Sequence, residues 1–208
     1  RYQRKFREQE LAQGVFDRVA QALMRGLELA ADLQRIDSTH VFSDMASLSR
    51  TQVMLACLRR FLAQLKRHHN AEYAGVDAAL RARCEAKDRE VFGGCAKDEG
   101  SRRRLRQQVA EDMLAIVERF AAHGRIGAMT SYQLLERCLR EQCEVVENKL
   151  QVRKKAAGRT LQNPSDPDAT INGHKGKGYQ LQIAETYNPA NAVQLITCAI
   201  PQTAADDD

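Results

Sequence analysis

The stretch LQRIDSTHV, residues 33–41, interrupts a long helical region and decides how the chain is organised. Its β-branched residues predict a short strand between helices. A second strand-like region follows much later, where Tyr179, Leu181 and Ile183 alternate with polar or small residues, and a nearly continuous apolar run follows at residues 193–200. We interpret these as an antiparallel strand pair. Because a lone pair of strands is marginal in water, we expect residues 32–41 to join it in one sheet.

The rest of the chain up to residue 158 has the periodicity of helices. All four prolines lie at or beyond Pro164, and the long proline-free stretch is rich in strong helix formers. An apolar stripe with a spacing of four predicts an amphipathic helix within residues 9–31. The stripe consists of Leu11, Val15, Val19, Leu23 and Leu27. The prediction is a mostly helical α+β fold: a helical segment at 1–31, a strand at 32–41, a helical insertion at 42–158, and a loop with two strands at 159–208.

Local signals set the expected helix limits within the insertion. Ser49 with Gln52, and Thr130 with Gln133, fit capping boxes that begin two helices. Apolar residues between 105 and 120 predict another helix, and a turn is expected at Gly93 and Gly94. We expect the helix that begins near residue 130 to continue into the basic residues 153–155.

Composition favours a protein with a buried core and an anionic partner. The chain has 208 residues, 43% of them hydrophobic, and a net charge of +5. Residues 161–208 contain two Lys and six Asp or Glu, a net of −4, so residues 1–160 carry +9. Any surface that binds phosphate should therefore lie mostly in the first three quarters of the chain.

Cysteine usage and hydropathy indicate a cytoplasmic protein. The six cysteines form no CxxC pair and have no histidine partner at zinc-finger spacing, which predicts reduced thiols. No apolar run approaches 18 residues and no signal-peptide pattern occurs, so we predict no membrane association and no secretion.

Asp37, placed at the end of the predicted strand, is the first candidate for chemistry. Metal-dependent phosphoryl transfer needs several carboxylates to hold two ions about 4 Å apart, and Asp37 could supply one of them. The spacing by itself favours another role, in which Asp37 and Ser38 only cap the backbone that leads into the next helix. Asp166, Asp168 and His174 form a second candidate metal group, although Asp in a turn-rich segment more often satisfies its own backbone.

Basic residues form three groups that could contact DNA phosphates. Lys175 and Lys177 lie in a glycine-rich segment that lacks a nucleotide-binding GxxxxGK[ST] motif, so we expect at most a backbone-phosphate contact. The other two groups are Arg102, Arg103, Arg104 and Arg106, and Arg153, Lys154 and Lys155. The alternative is that they form solvated helix faces.

Two blocks, RIDSTHVFSDMASLSR and LQNPSDPDATINGHKGKGYQLQIAET, together resemble signature blocks of bacterial insertion-sequence transposases of the DDE type. The resemblance implies an RNase H-like catalytic core, interrupted by the helical insertion, with Asp37 as first catalytic and metal-binding aspartate. It places the second core strand at residues 179–185. It also implies Mg²⁺ as cofactor, the DNA ends of the mobile element as partner, and self-association during DNA recombination.

In that family a second Asp and a Glu follow on later elements, so we expect this chain to be a fragment with an incomplete active site and weak Mg²⁺ binding at most. An unpaired strand edge would then favour aggregation. Two other functions remain open: a catalytically inactive DNA-binding regulator of a transposase, and a helical interaction protein unrelated to DNA.

Overall fold

A computed structural model describes residues 11–42, 48–93 and 98–205. About half of these residues are helical, and two antiparallel sheets complete an α+β fold. The helices are α1 Leu11–Gly26, α2 Arg50–His68, α3 Asn70–Ala74, α4 Ala78–Glu85, α5 Asp88–Phe92, α6 Glu99–Phe120, α7 Gly124–Gly127 and α8 Thr130–Gln142. The strands are β1 Gln34–Phe42, β2 Cys143–Val146, β3 Lys149–Val152, β4 Thr170–Asn172, β5 Gly176–Thr186 and β6 Ile196–Thr203. The turn predicted at Gly93 and Gly94 lies only partly within the described ranges, because Gly94 falls outside them.

The hydrophobic core lies in the helical unit, which we define as residues 48–152. Helix α2 runs through its centre and packs against α6 and α8. Phe61 is fully buried, and its ring lies 5.8 Å from that of Phe120 and 5.7 Å from that of Tyr132, measured between centroids. Each such buried ring or aliphatic side chain contributes roughly 1.5–3 kcal/mol, so this unit holds most of the apolar stabilisation.

The two predicted capping boxes have different outcomes. Ser49 caps α2 as predicted: its backbone N–H donates to Gln52 Oε1 at 2.9 Å, and its hydroxyl accepts from Gln52 N. The prediction of a box at Thr130 and Gln133 was wrong. Met129 is the capping residue of α8, without a side-chain bond, and Thr130 is already inside the helix.

Helix α8 does not continue to residue 155 as predicted. It ends at Gln142, and β2 and β3 form an antiparallel hairpin instead. Glu147 and Asn148 occupy the turn with φ of 50° and 62°, the conformation of a type I′ hairpin turn. The usual Asn-Gly signal is absent here, so the apolar spacing of the segment indicated a helix.

The larger sheet is built around β5, which is its central strand. β1 pairs with β5 along its whole length, from Gln34 opposite Thr186 to Phe42 opposite Gly178. β4 and β6 share the other side of β5. The predicted joining of residues 32–41 to the C-terminal strand pair in one sheet is therefore confirmed.

The segment between β3 and β4, which returns from the helical unit to this sheet, is hydrogen-bonded to the helices and packs against them. Arg60 Nη1 donates to the carbonyl oxygen of Pro164 at 2.5 Å, and Arg137 Nη1 donates to that of Pro167 at 2.9 Å. The carboxylate of Glu141 accepts from the backbone N–H of Leu161 at 2.6 Å, and the Leu161 side chain is buried in the helical core. Residues 159–169 thus pack with the helices that precede them.

Asparagines in the β5–β6 connection hold the segment that enters β1. Asn191 bonds both the N–H and the carbonyl of Ala30 at 2.9 Å, and Asn188 Nδ2 donates to Asp32 Oδ1 at 2.9 Å. The Asn188 hydrogen bond lowers the pKa of Asp32. These bonds explain the Asn-Pro-Ala-Asn sequence without invoking a ligand.

Helix α1 forms as predicted, but its apolar stripe stays exposed. The stripe residues Leu11, Val15, Val19, Leu23 and Leu27 are each 41–52% exposed. The helix contacts β6 instead, and Ala20 is its buried residue. The stripe is thus an apolar surface rather than part of the core.

Candidate nucleic-acid interface

Asp37 lies in the middle of β1, not at a strand end as predicted. Its Cα partner on β5 is Ile183, and its side chain is exposed. Asp37 Oδ1 accepts a hydrogen bond of 2.8 Å from the N–H of Ser38, which is the backbone contact that the alternative interpretation expected. The other carboxylate oxygen has room for a ligand because the residue faces solvent.

Within residues 11–42, 48–93 and 98–205, no group of three His, Cys, Asp or Glu side chains could hold a metal ion. In the second candidate group, the hydroxyl of Tyr179 donates to Asp166 Oδ1, and Asp168 is exposed. Burial, and then the bond to Asp166, raise the pKa of Tyr179 to about 12. The N–H of His174 donates to Asn172 Oδ1 at 2.9 Å in a turn before β5. Asp166 and the backbone of His174 thus take part in local structure.

Basic residues from four distant segments meet where α2 begins. Arg106 Nε donates to Thr51 Oγ1 at 3.1 Å, and Lys177 Nζ donates to the carbonyl of Leu48 at 3.1 Å. Arg50 reaches the end of the hairpin, where its Nη1 donates to the carbonyl of Arg153 at 3.0 Å. We call this group, Arg50, Arg106 and Lys177 with the adjoining Arg153 and Lys154, the basic cleft.

Arg50 is the member of the basic cleft that sequence reasoning missed. Its Nε donates to Gln142 Oε1 at 2.8 Å, while Nη2 is buried without a hydrogen-bond partner among the described residues. A buried donor that lacks an acceptor costs about 1–3 kcal/mol, so it calls for an explanation. A signal was present in the sequence, because a cation in the first turn of a helix opposes the helix dipole.

Three members of the basic cleft, Arg50, Arg106 and Lys177, carry positive charge that their own hydrogen bonds do not neutralise. Burial, and then repulsion by Arg106, lower the pKa of Arg50, and burial lowers the pKa of Lys177. Each acceptor that the structure shows for Arg50, Arg106 and Lys177 is a neutral amide, carbonyl or hydroxyl oxygen. Partly buried charges normally have a counter-charge, so the cleft is suited to an anion.

Apart from Arg106 and Lys177, the predicted DNA-binding residues are exposed or paired with acids. Arg102 and Arg104 lie 3.6 Å from Glu99 and Asp98, and Arg103 is exposed. Arg153 Nη1 donates to Glu144 Oε2 at 3.0 Å, whereas Lys154, Lys155 and Lys175 are exposed. The arginine run on α6 is therefore partly compensated by acids, and only Arg106 of that run reaches the cleft.

The glycines beside Lys175 and Lys177 have a backbone role. Gly176 and Gly178 begin β5 with φ of 100° and 153°, values that side chains rarely allow. Between them, Lys177 Nζ donates to the carbonyl oxygen of Leu48. The segment is thus a strand entry rather than a phosphate-cradling loop.

Comparisons with protein-family models, curated proteins and solved structures return no match. Among the described residues, no helix is both long and apolar enough to cross a membrane.

Proposed function

We propose that this chain acts in DNA transposition as part of a DDE-type transposase. In this proposal Asp37 supplies one carboxylate of a Mg²⁺ site, and the basic residues hold DNA phosphates. Positioned metal ions would stabilise the charge that develops during DNA strand cleavage and transfer.

The observation that carries the proposal is the pairing of the two signature blocks. RIDSTHV and GKGYQLQIAET lie on either side of the helical unit in sequence, yet β1 and β5 pair along nine consecutive residues. The resemblance requires Asp37 on the first strand of a core whose second strand is the Tyr179 segment. Adjacent antiparallel placement of these strands, followed by β6, is consistent with the first three strands of such a core.

The exposure of Asp37 also supports the proposal. Asp37 bonds the neighbouring Ser38 N–H and otherwise faces solvent, so one of its carboxylate oxygens is open to an ion. A metal ligand must remain open to the ion and to the carboxylates that complete its coordination.

The test is DNA cleavage in the presence of Mg²⁺, with protein expressed from the whole coding frame in which these residues lie. Asp37→Asn should lower the cleavage rate at least about a hundredfold, because a lost metal ligand removes several kcal/mol of transition-state stabilisation. Asp32→Asn is the matched control, since Asp32 lies five residues earlier and bonds Asn188. Equal cleavage by wild type and Asp37→Asn would refute the catalytic role.

A DNA-binding regulator without catalysis is the second candidate, favoured by the uncompensated cations of the basic cleft. It predicts DNA binding that weakens steeply as salt increases, because each neutralised phosphate releases counterions. Such binding without Mg²⁺-dependent cleavage by the whole-frame protein would favour the regulator over the transposase. Absence of salt-sensitive binding would count against both.

A further inference from the structure

A cavity lies at the C-terminal end of α2, where α3 and α4 pack against that helix. Its volume is about 380 Å³, within the roughly 300–1,000 Å³ of small-ligand sites. The polar part of its wall consists of Lys66, Asn70, Tyr73, Arg81 and Glu85. None of these residues belongs to the basic cleft, which lies where α2 begins.

Two cations and one acid lie around the ring of Tyr73. Lys66 Nζ is 5.1 Å from the ring centroid and Arg81 Cζ is 5.4 Å from it, distances at which a cation is attracted to an aromatic ring. Glu85 Oε1 accepts hydrogen bonds from the Tyr73 hydroxyl at 2.7 Å and from Lys66 Nζ at 3.0 Å. The bond from Tyr73, and then that from Lys66, lower the pKa of Glu85. This carboxylate is therefore charged near neutral pH and compensates Lys66.

Arg81 is the cation of the wall whose charge stays uncompensated. Its guanidinium makes no hydrogen bond and no salt bridge to the residues that the structure describes. Nε is enclosed without an acceptor, whereas the two terminal nitrogens are not among the enclosed atoms. Because Arg81 lines the cavity, these terminal nitrogens are open donors at its wall. A partly buried donor without an acceptor favours a ligand that brings one.

Alanines supply the apolar part of the wall. Ala74 ends α3, and Ala78 and Ala82 lie one turn apart on α4. All three are exposed, so a carbon chain can pack on their methyl groups. The charged groups of the wall are two cations and one carboxylate, a net of +1. A single negative charge balances this wall, whereas a doubly charged anion would exceed it and be repelled by Glu85.

We propose that this cavity binds a carboxylate, with the terminal nitrogens of Arg81 as donors and the alanine methyl groups against the carbon atoms of the ligand. The two oxygens of a carboxylate match the planar guanidinium and can accept two parallel hydrogen bonds. The carboxylate comes from a small organic acid or from an acidic side chain of a peptide segment. This inference does not rest on the proposed DNA function.

The experiment titrates the full nitrogen-15-labelled chain with sodium butyrate at constant ionic strength and follows the backbone amides of α4 by NMR. Saturable shifts with a millimolar dissociation constant are expected, because so small a ligand supplies little binding energy. Arg81→Gln should weaken binding at least about tenfold, since charge-assisted paired hydrogen bonds are the strong kind. Butyramide, which has the same carbon chain without the charge, should cause no saturable shift.

Matched variants separate the cavity from net charge and from added bulk. Arg67→Gln removes a charge next to Lys66, from an exposed residue outside the wall, and should change affinity less than twofold. Ala82→Leu keeps every charge but fills the cavity, so it should also weaken binding, whereas Ala79→Leu on the exposed surface of α4 should not. Thermal melting establishes that each variant is folded. Ala82 is exposed, so its variant tests the site should Arg81→Gln unfold.

Three results would overturn the proposal: equal weakening by Arg67→Gln and Arg81→Gln, equal shifts with butyramide and butyrate, or no saturable shift in the wild type. Inorganic phosphate that binds more tightly than butyrate in an Arg81-dependent way would overturn the carboxylate assignment.

A short peptide with one Glu and blocked ends identifies the source of the carboxylate. Tighter Arg81-dependent binding than that of butyrate supports an acidic side chain, and equal or weaker binding supports a small organic acid. Neither DNA nor metal is present, so this test can succeed when Asp37-dependent cleavage or DNA binding fails.

Discussion

Tyr179 connects the turn before β4 to the central strand of the larger sheet. Its hydroxyl donates to Asp166, and burial together with that bond raises its pKa to about 12, against about 10 in an unfolded chain. A raised tyrosine pKa means that folding favours the protonated form. The stabilisation is therefore complete below pH 10 and is lost as the pH rises from about 10 to about 12.

We expect Tyr179→Phe to lower the free energy of unfolding by about 1 kcal/mol at pH 8, the usual net value of one hydrogen bond partly screened by solvent. The difference from wild type should shrink as the pH rises toward 12. Denaturant unfolding across this pH range measures it. Tyr187→Phe is the control, because Tyr187 is 56% exposed. A Tyr179→Phe effect that does not change with pH would contradict the account.

Single residues also show where sequence reasoning reaches its physical limit. The Ser49 cap was predictable because its partner Gln52 is three residues away. Arg50 acquires its role from Gln142 and Arg153, which are 92 and 103 residues distant. Periodicity and local spacing cannot reveal such contacts, so the centre of the candidate site emerged only from the fold.

At the scale of elements, the turn of the β2–β3 hairpin contains two residues in a conformation that is unfavourable for their side chains. Glu147 and Asn148 both have positive φ, which costs most side chains roughly 1–2 kcal/mol. Replacing Glu147 with Asn and Asn148 with Gly together supplies the residues that a type I′ turn prefers. The free energy of unfolding should rise by about 1 kcal/mol, measured by denaturant titration.

Glu144→Gln is the control for that double replacement, because Glu144 lies in the same hairpin, bonds Arg153 and leaves the turn unchanged. It should not raise the free energy of unfolding. The double replacement is expected to be stabilising only if the turn has the positive φ values described. If the double replacement lowers the free energy of unfolding instead, the Glu147 or Asn148 side chain must make a contact that stabilises the protein by more than its positive φ costs.

Local sequence patterns predicted the type of these elements, but they did not predict what packs against them. The strand at β1 and the helix at α1 were both predicted from local patterns. The stripe on α1 nevertheless stays exposed, as do Ile36 and Phe42 on β1, at 74% and 72%. An apolar pattern specifies which face prefers to be buried, but the presence of a partner for that face depends on elements elsewhere.

At the scale of the whole molecule, stability should be unevenly distributed. The main core cluster lies in the helical unit with Leu161, whereas most side chains of β1, β5 and β6 keep some exposure. Regions with little buried apolar surface open more readily. We expect backbone amides of α2, α6 and α8 to exchange with deuterium more slowly than those of β1 and β6.

Hydrogen exchange followed by mass spectrometry measures this difference. Peptides from α1 provide an internal comparison, because that helix also has little buried surface. The uneven distribution would be disproved if β1 and α2 exchanged at the same rate in the same sample.

The chain leaves the larger sheet at the end of β1 and re-enters it at the start of β4, and both points lie at the same position along β5. Phe42, the last residue of β1, and Thr170, the first of β4, both pair with Gly178 from opposite sides of β5. With strands about 4.8 Å apart, these two residues are separated by only about 10 Å. Residues 43–169 are therefore a cassette in the engineering sense. A crossover of about a dozen residues could replace these residues and still connect β1 to β4. If residues 43–169 are instead moved into another protein, they should be kept together up to residue 169, because Arg60, Arg137 and Glu141 bond the segment that returns to the sheet.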